Sequence, residues 1–320
     1  MDRKVYIGVD IGGMTVKLGI FEGEKILKQW AIPTRVKEQT IASDIAEAIK
    51  EGMKELEIPE EHILGIGIGV PGNARPDGFV YNASNIGWKD YDLGAAIKET
   101  LNIPVAVGND ANLAALAEYW VGAGKDYSSF VMITIGTGLG GGIINEGRIV
   151  NGMMGSGGEI GHIPVNPQET LRCGCGKCGC LEQYTTATAI MRMAREAIEA
   201  GELSTSIESK TPTAKDVLDA AKAGDPLAVK VMDTFADRLG QGMAIVASVM
   251  NPEAFLLGGG VSKAGDYLLN LIRPYYEKYL FKGCVGADFR IAILENDAGI
   301  IGAAKLAMDS FPAGWDEVTE

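Results

Sequence analysis

Four cysteines stand within eight residues, Cys173, Cys175, Cys178 and Cys180, and His162 precedes them. Cysteines this crowded are badly placed for a framework of long-range disulfides, whereas thiolates with an imidazole are the donor set of a tetrahedral zinc ion. Five candidate ligands are thus offered to an ion that needs four. An iron–sulfur cluster and free reduced thiols are the competing readings. Zinc held with no open coordination position is structural, and it would pin a loop that is otherwise floppy.

A different chemistry is written at Asp10-Ile11-Gly12-Gly13-Met14-Thr15, with Lys17 beyond. Bare glycines let backbone N–H groups reach phosphate oxygens, Thr15 adds a hydroxyl, and Asp10 can hold Mg2+ through water. An ordinary hairpin turn is the bland alternative. The motif has an echo, because Lys4 to Gly23 aligns without a gap on Ser128 to Gly147, an offset of 128 − 4 = 124 that sets Gly12 on Gly136 and Gly13 on Thr137. Two glycine turns, the second at Gly136-Thr137-Gly138, can grip one polyphosphate, and the repeat points to an internal duplication. Gly258-Gly259-Gly260, after an apolar strand, suits a nucleotide's base and ribose, or a plain strand-to-helix turn. Gly136-x-Gly138-x-x-Gly141 with Glu159 also fits the dinucleotide fingerprint. That fingerprint must open a helix, whereas Gly142 to Val150 reads as strand, turn and strand. No Walker-type loop is written either, since Gly124-Lys125 runs into Asp126.

Asp110 falls where a short strand, Val105 to Val107, meets a helix, Ala111 to Val121, and this is where open α/β sheets bind ligands. It can serve as a helix N-cap, as a proton acceptor, or as both, since the positive helix end keeps a carboxylate ionised.

The elements that must position these groups follow from periodicity. Apolar runs flank Gly12-Gly13 as a hairpin, and Ile41, Ile45, Ile49, Met53 and Leu56 recur at helical spacing. Ile66, Ile68 and Val70 alternate with Gly65, Gly67 and Gly69, a strand whose bare face invites another backbone. A long helix is expected over Pro226 to Met250, capped by Asp225 and packed through Met232, Phe235, Leu239, Met243 and Val246. Asn151 to Cys180 is irregular and glycine-rich. His62 sits in a polar turn and reads as solvated.

With 320 residues the chain is long enough for two domains. Its 29 basic and 42 acidic residues leave a charge of −13, which repels phosphate backbones and anionic lipid. Neither nucleic acid nor a membrane is an expected partner. No apolar run reaches the roughly 18 residues of a spanning helix, and Asp10 interrupts any signal-peptide core, so a soluble, cytoplasmic protein is expected.

Taken together, these residues resemble the ROK family of bacterial sugar kinases, within the actin-like ATPase superfamily. The resemblance runs nearly end to end. It rests on Asp10-Ile11-Gly12-Gly13-x-Thr15, Gly108-Asn109-Asp110, Gly136-Thr137-Gly138, Glu159-x-Gly161-His162, Cys173-x-Cys175-Gly176-x-x-Gly179-Cys180-x-Glu182 and Leu257-Gly258-Gly259-Gly260-Val261. It implies an α/β fold, a duplicated actin-like (ribonuclease H-like) architecture of two lobes with a central ligand cleft. The boundaries it suggests are 1–118 for a smaller lobe, joined by a C-terminal helix near 299–312, and 119–298 for a larger lobe with the zinc loop.

The resemblance further implies that Asp110 is the base for the attacking hydroxyl, and that Asn109, Glu159, His162 and Glu182, with Asn85 and Gly72, bind the sugar. In the family pattern His162, Cys173, Cys175 and Cys180 hold zinc, while Cys178 occupies a variable position. His162 can serve metal and sugar at once through its two ring nitrogens. Within the family, the Cys-rich motif and Asn85-Ile86-Gly87-Trp88 are most similar to the glucokinases. The expected reaction is therefore transfer from ATP, with Mg2+, to the 6-hydroxyl of glucose. Fructose, N-acetylmannosamine and N-acetylglucosamine kinases are alternatives, and a non-catalytic sugar sensor is a further one. Repressors of the family carry a DNA-binding domain ahead of this body, for which the nine residues before Asp10 leave no room. A homo-oligomer, dimer or tetramer, is the expected assembly.

Overall fold

The apolar runs around the first glycine turn form β1 (Val5–Ile11) and β2 (Thr15–Glu22), an antiparallel pair in which Asp10 lies opposite Lys17. The computed structural model describes residues 4–201 and 203–313. Strand β3 (Lys25–Pro33) extends this hairpin, and α1 (Ile41–Glu55) follows with Ile41, Ile45, Ile49 and Met53 buried. The chain continues through β4 (Ile63–Val70), β5 (Asn73–Ala74), β6 (Phe79–Ala83), β7 (Trp88–Asp92), α2 (Leu93–Lys98), β8 (Val105–Asn109) and α3 (Asp110–Val121). The first sheet has the order β3-β2-β1-β4-β8, with β4 parallel to both β1 and β8, while β5 to β7 make a small antiparallel sheet.

The pattern then repeats. Strands β9 (Phe130–Ile135), β10 (Leu139–Asn145) and β11 (Arg148–Ile149) precede α4 (Ala187–Ala200), α5 (Ala214–Lys222), α6 (Pro226–Met250), β12 (Ala254–Gly258), α7 (Asp266–Tyr279), β13 (Asp288–Ile291) and α8 (Ala298–Ser310). The second sheet has the order β11-β10-β9-β12-β13, the same arrangement of an antiparallel edge and a parallel continuation. Twenty aligned residues in the sequence thus mark a duplication that reaches the topology of both sheets.

The chain divides into two units, of which the first takes residues up to Asp126, Gly142–Gly158 and those from Leu294 on, and the second takes Tyr127–Gly141 and Glu159–Ile293. In the first unit the bare face of β4 is used as its spacing suggests. A Cβ on Gly67 would run into the carbonyl of Ala303, and one on Gly8 of β1 into that of Ile300, so the backbone of α8 lies directly on these strands. In the second unit α6 supplies the core, with Met232, Phe235, Leu239, Met243 and Val246 buried. Its cap is Asp225, whose side chain accepts from the Ala228 N–H at 2.9 Å. Among the described residues no helix is long and apolar enough to cross a membrane.

Candidate active site and metal centre

In the second unit the turn between β9 and β10 is closed by a Gly136 N–H that donates to the Gly138 carbonyl at 3.1 Å. A Cβ on Gly136 would meet nothing within 4 Å, so its backbone faces open space, as a phosphate-binding turn requires. Two residues of α4 dock on the turn: the Ala187 N–H donates to the Gly136 carbonyl at 2.9 Å, and the Thr188 hydroxyl donates to the Thr137 carbonyl at 3.1 Å. Ala187 is also a wall of a cavity of about 440 Å³, lined further by Met191, Leu218, Gly260, Val261 and Ala264. Of the glycine triplet only Gly260 faces this cavity, because Gly258 packs on Met132 and Gly259 on the backbone of Ile135. An open glycine turn beside an apolar cavity can hold a phosphate chain attached to a flat base.

In the first unit the corresponding turn is closed by the Gly12 N–H donating to the Thr15 carbonyl at 3.0 Å, with the Thr34 hydroxyl on the Gly12 carbonyl at 2.7 Å. The Lys17 ammonium donates to the Asn296 carbonyl at 2.7 Å and stands beside Asp10. Asp10 lies against the start of α8, where a side chain on Gly299 would collide with its carboxylate. Burial pushes the Asp10 carboxyl above its ordinary value of 3.8, and the charge of Lys17 offsets part of that. The ionised group therefore destabilises the folded chain at neutral pH, and this effect fades as pH falls through the raised value and vanishes below 3.8. Asp10→Asn is expected to unfold at a higher temperature than the parent at pH 7, with the gap closing toward pH 4. A lower unfolding temperature at pH 7 would show that the charge is stabilised where it sits.

Asp110 is the first residue of α3, and the cap is not Asp110 but Asn109. Asn109 is in extended conformation, so its Oδ1 reaches the N–H groups of Ala111 at 3.0 Å and Asn112 at 3.1 Å, while its Nδ2 donates to the Gly72 carbonyl at 3.1 Å. The Asp110 carboxylate accepts from the Ala111 N–H at 2.8 Å. A carboxylate in the first turn of a helix faces the positive end of the helix dipole, a favourable place for an ionised proton acceptor. Asn85 lies in the exposed turn after β6, and Gly72 packs on Asn82 and Ala83 of that strand.

His162, Cys173, Cys175 and Cys180 bring their ligand atoms within 4.8 Å of one another. The His162 Nδ1 is 3.7 Å from the Cys173 sulfur, and the Cys175 and Cys180 sulfurs are 3.6 Å apart. Ligands about 2.3 Å from one tetrahedral ion stand about 3.7 Å from each other, so the cluster fits such an ion. Cys178 is exposed and turned to the Thr170 carbonyl. Burial pushes the Cys173 thiol up to about 12 and raises that of Cys180, whereas the Lys177 N–H lowers that of Cys175. The other ring nitrogen of His162, Nε2, faces Glu159 at 3.9 Å. Glu182 touches the Cys173 sulfur at 3.2 Å and accepts from the Leu139 N–H at 3.3 Å, next to the second glycine turn.

Two groups of residues escape sequence reading. Gln183 is buried and braces the cysteine loop, accepting from the Cys180 N–H at 3.0 Å and donating to the Leu171 carbonyl at 2.8 Å. Arg238 of α6 adds a donor to the Val165 carbonyl at 3.0 Å. The cavity walls Ala187, Met191, Leu218 and Ala264 carry no motif, because an apolar helix face lining a cavity has the same periodicity as one entering a core.

The ROK family matches residues 6–310 of the chain. A glucokinase from Halalkalibacterium halodurans is 43% identical over 315 residues, 96% of each chain. A ROK family glucokinase from Streptomyces griseus, solved in complex with glucose and AMPPNP, is 35% identical with a TM-score of 0.76, covering 95% of this chain and 99% of that one. A ROK hexokinase from Thermus thermophilus is 31% identical with a TM-score of 0.83, covering 96% and 98%.

Proposed function

The chain belongs to the ROK family, and we propose that it is a kinase that transfers the γ-phosphoryl group of ATP to the 6-hydroxyl of glucose. The observation that carries this reading is the likeness to glucokinases across nearly the whole chain, one of them holding glucose and an ATP analogue. The open turn at Gly136 and the adjoining cavity support a nucleotide as the second substrate.

Phosphoryl transfer leaves a protein little covalent chemistry to do, so positioning and charge neutralisation dominate. Gly12, Gly13 and Thr15, with Gly136, Thr137 and Gly138, hold the phosphates through backbone N–H groups and a hydroxyl. The base enters the cavity beside Gly260. Asp10 is the residue that would hold Mg2+, which would supply neutralisation of the phosphate charge. Asn109, Glu159, His162 and Glu182, with Asn85 and the backbone at Gly72, bind sugar hydroxyls. Asp110 accepts the proton of the 6-hydroxyl as its oxygen attacks the γ-phosphorus. The cluster of His162, Cys173, Cys175 and Cys180 would hold zinc, on the strength of its donor set and spacing, and zinc there would fix the loop that carries His162. The use of ATP and a free hexose supports a cytoplasmic site of work.

The sugar is tested by measuring ADP release from ATP and Mg2+ with glucose, mannose, fructose, N-acetylglucosamine and N-acetylmannosamine. Glucose should give the highest kcat/KM. Preference for another sugar would move the substrate and keep the chemistry, and silence across the panel would refute a kinase.

A further inference from the structure

The cavity next to the Gly136 turn has an uneven distribution of polarity. Its buried side chains, Leu218 and Val261, are apolar, and Met191, Ala187, Ala214 and Ala264 add only methyl and thioether surface. Its polar side chains, Thr213, Lys215, Asp219, Lys222 and Lys263, are all exposed. These residues already have partners: the Thr213 hydroxyl is 2.7 Å from Asp216 in a capping box, Lys215 and Asp219 are paired at 2.5 Å, the Lys222 ammonium lies over the Tyr267 ring at 5.4 Å, and Lys263 is engaged as well.

Discrimination between bases requires polar groups that are stranded without a partner when the wrong base binds. A buried hydrogen-bonding site rejects a mismatched ligand by about 10⁴-fold or more, whereas a hydrophobic pocket manages about 10²-fold. An exposed lysine or aspartate that loses its base simply returns to water, so it cannot impose the larger penalty. Adenine and guanine both present a flat purine face to Met191, Leu218 and Val261, and differ only in edge groups.

We propose that the donor site takes purine nucleoside triphosphates as a class, with GTP and ITP as working phosphoryl donors beside ATP. This rests on the reading of the cavity as the base site of a sugar kinase. The balance of the reaction is the same for each donor. The bond from the β,γ-bridging oxygen to the γ-phosphorus breaks, the bond from the sugar oxygen forms, and the nucleoside diphosphate leaves while Asp110 takes the hydroxyl proton.

The test has two arms. In the first, kcat/KM is measured with ATP, GTP and ITP at saturating glucose and Mg2+, read as glucose 6-phosphate so that the identity of the released diphosphate is immaterial. GTP and ITP should fall within about 100-fold of ATP, and a larger preference for ATP overturns the proposal. In the second, ADP, GDP and IDP compete with a fluorescent ADP analogue in the absence of sugar. Affinities within about 100-fold support a site that takes purine nucleotides as a class even if no sugar is phosphorylated, which would refute the kinase reading and with it the role of GTP and ITP as donors. Absence of nucleotide binding, or a larger preference for ADP, overturns it. Met191→Ala should weaken all three diphosphates by a common factor of about three to ten. A loss confined to one base would show that the base is read elsewhere.

Discussion

Replacing Asp110 by Asn should lower turnover by about 10² to 10⁴-fold, with glucose and nucleotide affinity held within a few-fold. Asparagine keeps the size of the side chain and an oxygen to accept from the Ala111 N–H, but it takes no proton from a hydroxyl. The fold is insulated from the change because the helix cap is Asn109, which holds the N–H groups of Ala111 and Asn112. An unfolding temperature close to the parent's therefore accompanies the loss. Initial rates with isothermal titration of glucose check both halves of the expectation. Turnover near the parent's would remove Asp110 as the base, and a parallel fall in glucose affinity would recast it as a binding residue.

Replacing Cys175 by Ser should cost the protein its zinc and raise the KM for glucose by about 10 to 100-fold. Cys175 is exposed, and Gln183 and Arg238 brace the loop by hydrogen bonds that do not involve the metal, so the variant keeps its fold. What it lacks is the fourth ligand of a cluster whose atoms stand within 4.8 Å of each other. The raised thiols of Cys173 and Cys180 sharpen the expectation, because ion binding must displace protons from them and apparent zinc affinity falls as pH falls. Cys178→Ser serves as the control and should retain one zinc per chain. Metal content by atomic absorption, together with the glucose KM, decides the matter. Parental zinc affinity in Cys175→Ser, or zinc loss in Cys178→Ser, would break the ligand assignment.

Much of the scaffold is written locally in the sequence. The repeat of Lys4 to Gly23 at Ser128 to Gly147 marks two hairpins, and both become strand pairs in the second and third places of sheets with one shared order. Glycine at 65, 67 and 69 announces a bare strand face; α8, more than two hundred residues away, supplies the backbone that lies on Gly67, while the Phe311 ring meets Gly65 and the Leu113 side chain meets Gly69. Asp225 followed by Pro226 states the start of α6 to the residue. The strands β3 and β5 to β7 are less legible. Lys25–Pro33 has mixed burial, and the small sheet is built from strands of two to five residues, too short for an alternation to stand out.

The chemistry is legible where residue types are rare and hidden where they are common. Cysteines, a histidine and glycine turns declare themselves, whereas the assignment of the α3 cap to Asn109 depends on backbone dihedrals that a Gly108-Asn109-Asp110 string leaves open. The cavity walls are contributed by α4, α5 and the turn after β12, and only the folded second unit brings these distant apolar residues together.

The central claim is transfer of the γ-phosphoryl group of ATP to the 6-hydroxyl of glucose. Its most direct test is phosphorus NMR of the product formed by the purified protein from ATP, Mg2+ and glucose. The predicted result is glucose 6-phosphate and ADP in equal amounts. Phosphate released to water without a sugar ester, or an ester at another hydroxyl, would contradict it.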